Sequence, residues 1–260
     1  MNLLRTLALF ATFLIATSAV PAEEPPLVVG MELAYPPFEM TDTQGNPKGI
    51  SVDLAKALAE NLGRELEIRN IPFDGLIPAL KSGKIDLILS SMTATPERAR
   101  SIDFSDPYLK TGLCLLVGSD SGIRSIADVD KSSLKIAVKK GTTGHLYAAK
   151  NIKHAKVLVL DKETAGVLEV VQGKADAFVY DQMSTFKHWQ SHRDSTRAIL
   201  EPFQTETWAI GLRRGDDALR AQVNAFLAEF RKLGGFERLG DEYLSEQKRA
   251  LAEEGIPFYF

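Results

Sequence analysis

Apolar runs of four to six residues alternate along the chain with amphipathic stretches of ten or more, so the hydrophobic period switches repeatedly between strand-like and helix-like. That alternation predicts an α/β architecture. Leu27 to Met31 and Leu66 to Ile71 are expected strands. Between them, Ile50, Leu54, Ala57, Leu58 and Leu62 share one face of a helix that Gly63 closes. Leu134 to Val138 is a further expected strand, followed by Gly141-Thr-Thr-Gly144 and a short helix.

One unit occurs twice. Gly75 to Ser91 resembles Gly166 to Asp181 with one residue deleted, both reading as helix, Gly-Lys-x-Asp turn and buried strand. The shared offset places Gly83 on Gly173, Asp86 on Asp176 and Ser91 on Asp181. Two similar lobes are the simplest account. Ligands of open α/β sheets lie beyond the carboxyl ends of strands, which here are Ser90-Ser-Met-Thr93 in one lobe and Asp181 in the other. Two such ends facing each other would form a cleft suited to a small molecule.

The first 22 residues are a different kind of segment. Arg5 precedes an apolar stretch from Leu7 to Ile15, and small residues at Val20-Pro21-Ala22 precede Glu23-Glu24, which is the pattern of a secretory signal peptide. The uncharged run from Thr6 to Val20 is 15 residues, short of the ~20 that a spanning helix needs. The mature chain is therefore expected to start at Glu23, outside the cytoplasm, and no cysteine stands near the cleavage point for lipid attachment. With 31 Lys plus Arg against 34 Asp plus Glu, the net charge of −3 gives no basic footprint for nucleic acid. Hydrophobic residues at 45% rule out intrinsic disorder. The single Cys114, in an apolar strand, forbids an internal disulfide and is expected to be buried.

Several residues could carry chemistry at the strand ends. Thr95 suits an N-cap and Pro96 the first helical position, which puts Arg98 in a first turn where a cation opposes the helix dipole. Either Arg98 is a surface residue paired with Glu97, or it forks a bound carboxylate. Backbone N–H groups of Gly141-Thr-Thr-Gly144 could hold an anion, or the segment is a plain turn and N-cap. Tyr35 and Phe73 could line a site or a core, Asp74 suits the N-cap of the next helix, and Glu32 ends the first strand. His188 and His192 stand at i and i+4 without a third ligand and read as surface histidines, so no metal site is expected. No nucleophile elbow, redox pair, Walker loop or dinucleotide fingerprint appears, and no cofactor is implied.

Taken together, Tyr35-Pro-Pro-Phe-Glu39, Ser51-Val-Asp-Leu-Ala-Lys56, Phe73-Asp-Gly-Leu-Ile-Pro-Ala-Leu80, Gly83-Lys-Ile-Asp86, Ser91-Met-Thr-Ala-Thr-Pro-Glu-Arg98 and Asp103-Phe-Ser-Asp-Pro-Tyr108 resemble the periplasmic polar amino acid binding proteins of ABC importers, solute-binding family 3. The resemblance covers essentially the whole mature chain. It implies a type II periplasmic binding protein fold, two α/β lobes joined by a two-strand hinge. Lobe 1 would be 23–112 plus a return segment 205–260, and lobe 2 would be 113–204. It also implies that Arg98 forks a ligand α-carboxylate with help from Thr93 and Thr143 backbone N–H groups, and that Asp181 and Ser91 hold the α-ammonium. Phe73 and Tyr35 would sandwich the ligand side chain, and Glu32 would face its distal part, which leans toward a polar or cationic side chain. Gly144 departs from the polar residue that several relatives carry there.

The implied protein is a non-enzymatic, monomeric shuttle that captures an amino acid by lobe closure and delivers it to a membrane permease. Cyclohexadienyl dehydratases resemble the same pattern but need a carboxylic acid just beyond the Asp181 position, where Gln182, Met183 and Ser184 stand. A ligand-sensing module for a separate signalling partner is the other alternative.

Overall fold

The computed structural model describes residues 24–253 and Gly255; the expected signal segment lies outside them. The strands are β1 (Leu27–Met31), β2 (Met40–Thr41), β3 (Pro47–Lys48), β4 (Leu66–Asn70), β5 (Leu87–Ile88), β6 (Asp103–Phe104), β7 (Leu109–Gly118), β8 (Lys135–Lys139), β9 (Lys156–Leu160), β10 (Ala177–Asp181), β11 (Thr196–Trp208) and β12 (Gly211–Leu212). The helices are α1 (Ile50–Asn61), α2 (Leu76–Lys81), α3 (Pro96–Ala99), α4 (Thr143–Asn151), α5 (Glu163–Val171), α6 (Gln182–Ser191), α7 (Asp217–Lys232), α8 (Gly235–Tyr243) and α9 (Ser245–Glu253).

Two five-stranded sheets result, in the orders β4-β1-β5-β12-β6 and β11-β7-β10-β8-β9. β1 lies parallel between β4 and β5, and β8 lies parallel between β9 and β10, so each lobe is built on crossover units. Strands covered on both faces must be apolar throughout, and β10 is buried at every position. On α1, Ile50, Leu54 and Leu58 are fully buried while Ala57 and Leu62 pack at the margin. Each such Ile or Leu contributes about 1.5–3 kcal/mol by leaving water. α7 turns Leu219, Val223, Phe226 and Leu227 inward, and with α8 it packs against α1.

The internal repeat is a structural repeat. Gly83 and Gly173 both adopt the left-handed conformation that ends a helix. Asp86 accepts the Val28 N–H at 3.1 Å and Asp176 accepts the Lys135 N–H at 2.7 Å, so each carboxylate secures the start of its neighbouring strand. Counting four residues along each strand from these anchors leads to Glu32 in one lobe and Lys139 in the other, at matching posts.

The lobes are connected by the antiparallel pair β7 and β11, whose register shifts between Ile199 and Gln204. Gly112 lies at that shift, where a Cβ would stand 2.5 Å from Pro202 Cβ and 2.6 Å from the Gln204 carbonyl oxygen. Gly144 is required for a similar reason, because a Cβ there would meet the Val179 carbonyl oxygen at 2.6 Å. A side chain at this position cannot be accommodated while α4 packs this closely on β10.

Beneath the strand ends of lobe 1, Glu39 is 1% exposed. It accepts the hydroxyls of Ser51 at 2.6 Å, Ser91 at 3.1 Å and Ser90 at 3.3 Å. Burial pushes its carboxyl up to about 8, against the downward pull of those three hydroxyls.

Two outcomes follow from this packing. Gly144→Ala is expected to cost about 1–3 kcal/mol and lower Tm by about 5 °C in calorimetry; an unchanged Tm would show that helix and strand can separate freely. Glu39 holds its proton more tightly in the folded than in the unfolded chain, so folding takes up a proton between the ordinary 4.5 and about 8, and its contribution to stability falls as pH rises through that window. The Tm of Glu39→Gln relative to wild type is therefore expected to climb from pH 5 to pH 8.5, whereas a constant difference would contradict the burial account.

Candidate functional site

The carboxyl ends of β5 and β10 face each other across a narrow, partly enclosed cleft. Its wall brings together Tyr35, Phe73, Ser91, Thr93, Arg98, Thr143 and Asp181 of the residues singled out from the sequence.

Arg98 is positioned by its own short helix. Thr95 caps α3 by accepting the Arg98 N–H at 3.2 Å, and Pro96 occupies the first turn. Arg98 is 7% exposed, and among the described residues it forms no ion pair with Glu97. Its Nη1 donates to the Thr93 carbonyl at 2.7 Å, and its Nη2 donates across the cleft to the Gly141 carbonyl at 2.9 Å. Phe73 lies beneath it, with its ring centre 5.4 Å away. Burial lowers the guanidinium to about 10, partly offset by Glu206 and Glu97, so it stays charged at neutral pH. Two of its five N–H groups go to carbonyls, which suits the remainder to a planar anion.

Asp181 ends β10 and caps α6, accepting the Ser184 N–H at 3.0 Å. The same oxygen accepts the Tyr35 hydroxyl at 2.7 Å, another contact between the lobes. Burial raises its carboxyl to about 7, with Glu163 and Glu206 adding to the rise and the two hydrogen bonds opposing it. Glu163 stands behind it, held by Ser184 and by His188 at 2.5 Å. His188 is thus an interior partner of Glu163, not the surface residue that its spacing with His192 suggested.

Tyr35 is a core residue as well as a wall residue. It is 6% exposed, stacked on Phe38 at 5.5 Å and set edge-on to Trp208 at 5.9 Å, while Phe73 is half-buried. Ser91 sits at φ 48 and gives its hydroxyl to Glu39. A non-glycine residue in that region costs about 1–3 kcal/mol and persists only where its surroundings impose it. Thr143 opens α4, after the N-cap Thr142.

Glu32 lies off the cavity wall. Its carboxylate makes an ion pair with Lys139, which is 3% exposed and also stands 5.6 Å above the Phe73 ring centre. Asp74 does not cap α2, which starts after Gly75; its carboxylate instead reaches Lys140 of the opposite lobe at 2.9 Å. Pairing across the cleft won over local capping at Asp74 and over a ligand contact at Glu32.

Two wall or near-wall charges, Glu206 and Lys139, were missed by the sequence reading. Glu206 is 6% exposed and accepts Thr93 and Thr143 hydroxyls, each at 2.9 Å. The available signal was an isolated acid in the expected return crossing, Gln204-Thr-Glu-Thr207. For Lys139 the signal was a charge directly after an apolar strand, as at Glu32. Gln182, the residue after Asp181, is also structural, donating its amide to the Leu200 carbonyl at 2.9 Å. Cys114 is buried, and burial raises its thiol far above the reactive range.

Comparison with known proteins bears on this arrangement directly. The family model for bacterial extracellular solute-binding proteins, family 3, matches residues 27–246. An L-arginine-binding protein of Pseudomonas aeruginosa is 31% identical, over 93% of this chain and 97% of that one. Among solved structures, an ancestral arginine-binding protein bound to arginine superposes with a TM-score of 0.80 at 32% identity, covering 86% of this chain and 100% of that one. An ancestral amino acid-binding protein described as a precursor of cyclohexadienyl dehydratase gives 0.77 at 35% identity, covering 84% and 94%. These structures share the type II periplasmic binding protein fold, and the named relatives are binding proteins, not enzymes. A two-lobed α/β chain with buried, opposite charges across one cleft, matched by the family model over nearly its whole described length, belongs to the bacterial extracellular solute-binding proteins, family 3.

Proposed function

We propose that this protein captures a polar L-amino acid between its lobes and delivers it to the permease of an ABC importer, as a periplasmic monomer exported by residues 1–22. In this reading the lobes are 23–112 with 205–260, and 113–204. The observation that carries it is the placement of Arg98 and Asp181, both buried and of opposite charge, on the two sides of one cavity. The named ligand of the Pseudomonas relative, an α-amino acid, supports the same class.

The α-carboxylate is assigned to Arg98, with the backbone N–H groups of Thr93 and Thr143, and the α-ammonium to Asp181 and Ser91. Phe73 and Tyr35 flank the side chain. A zwitterion of this kind touches both lobes at once and stabilises the closed form only while it is bound. Arg98 shares the wall with two carboxylates, Asp181 and Glu206. That balance favours a ligand of zero or positive net charge over an acidic one. Glu32 lends no free charge to this balance, because Lys139 neutralises it.

A thermal-shift screen of the standard amino acids is expected to give its largest rises with polar or basic ones; a response confined to sugars or metal ions would overturn the reading. Hydrogen bonds to charged groups contribute about 1.5–3 kcal/mol each, so Arg98→Ala is expected to weaken binding at least ~10-fold by calorimetry. An unchanged Kd would refute the carboxylate assignment. Asp181 must be ionised to accept an ammonium, and its carboxyl is raised to about 7. Affinity is therefore expected to fall by about tenfold per unit as pH drops below that value, and Asp181→Asn should flatten the profile; a wild-type profile that is level from pH 5.5 to 8 would exclude Asp181 as the acceptor.

A further inference from the structure

Glu206 is a buried carboxylate of the cavity wall to which the assignment above gives no contact with the ligand. It lies on β11 where the ladder passes between the lobes, with Thr207 and Ala209 bonding onward to Ala94 and Met92 of lobe 1. Its Oε1 accepts the Gln204 side-chain amide at 2.8 Å. Its Oε2 accepts two hydroxyls, Thr93 at 2.9 Å and Thr143 at 2.9 Å. Thr93 follows the last parallel strand of lobe 1, and Thr143 opens α4 of lobe 2. One oxygen atom is thus shared by a donor from each lobe, and the residue that carries it belongs to the connection between them.

That geometry constrains an angle. A carboxylate oxygen offers two acceptor directions, and both are used here by protein hydroxyls. Hydrogen bonds weaken steeply as distance and angle depart from the ideal, so the two bonds coexist over only a narrow range of lobe rotation. The acceptor is charged and desolvated, which makes both bonds strong. With three donors already in place, Glu206 has little capacity left for a ligand.

We propose that Glu206 is a positioning residue for closure, a clasp on the hinge that fixes the closed angle by holding Thr93 and Thr143 to one atom. In doing so it sets the backbone N–H groups of those two threonines toward the carboxylate end of the site. Only this second part rests on the amino acid reading above; the clasp itself is independent of what binds.

The test uses the full mature protein with Glu206→Gln, Thr143→Val and Thr143→Ser, measured by small-angle scattering and by stopped-flow release of L-arginine, L-histidine and L-glutamine, with Trp208 fluorescence as the readout. Glu206→Gln and Thr143→Val are expected to enlarge the radius of gyration with or without amino acid and to speed release about tenfold. Thr143→Ser, which keeps the hydroxyl, is expected to recover most of what Thr143→Val loses in both readouts, and Glu206→Gln combined with Thr143→Val should be no worse than the more impaired single variant. Scattering curves and release rates equal to wild type in both impaired variants would overturn the clasp, as would additive losses in the double variant. If Glu206→Gln fails to fold, the Thr143→Val and Thr143→Ser pair carries the same comparison. If wild type binds none of the three amino acids, the functional reading loses its support, and amino-acid-free scattering alone decides the clasp.

Discussion

A guanidinium removed from water has to be compensated where it stands, and the arrangement of this cleft follows from how Arg98 is compensated. Two carbonyls, one from each side, take two of its N–H groups, and Phe73 covers its face. Neutral carbonyls solvate the ion without cancelling it. The charge is therefore held in a low-dielectric wall, where an arriving carboxylate interacts with it far more strongly than it would at the surface. Asp181 is the complementary case, a carboxyl kept near its titration point by burial and fixed by Tyr35 and Ser184.

The internal repeat explains why charges meet across the gap. Asp86 and Asp176 secure equivalent strands in the two lobes, so the residues that end those strands arrive at equivalent posts facing each other. Glu32 and Lys139 occupy one such pair and neutralise one another. A buried pair of this kind adds little net stability, but losing either partner strands a charge. Specifying the closed alignment of the lobes is its more natural contribution, together with the Lys140–Asp74 contact at the lip.

Much of this was legible in the chain. Period switching located β1 and α1, and the repeated Gly-Lys-x-Asp segments located both strand ends. The dipole argument singled out Arg98, because a cation in a first turn needs a reason from outside its helix. What escaped were partners chosen across the cleft. Asp74 has the local chemistry of a cap, and Glu32 that of a ligand contact, yet each is claimed by a lysine of the other lobe, more than sixty residues away in sequence. Glu206 escaped for the same reason, since nothing near it in sequence shows that threonines from two lobes converge on its carboxylate. Spacing reports which side chains share a strand end; it does not report which groups a closed cleft brings into contact.

The central claim is that opposite charges on two lobes receive the two ends of one dipolar guest. A crystal structure of the protein with an amino acid that raises its Tm tests this most directly. The account predicts the α-carboxylate within hydrogen-bond distance of Arg98 and the α-ammonium within hydrogen-bond distance of Asp181, with the lobes closed on both. An amino acid bound elsewhere, or lying in the cleft with either end directed away from these two residues, would contradict it.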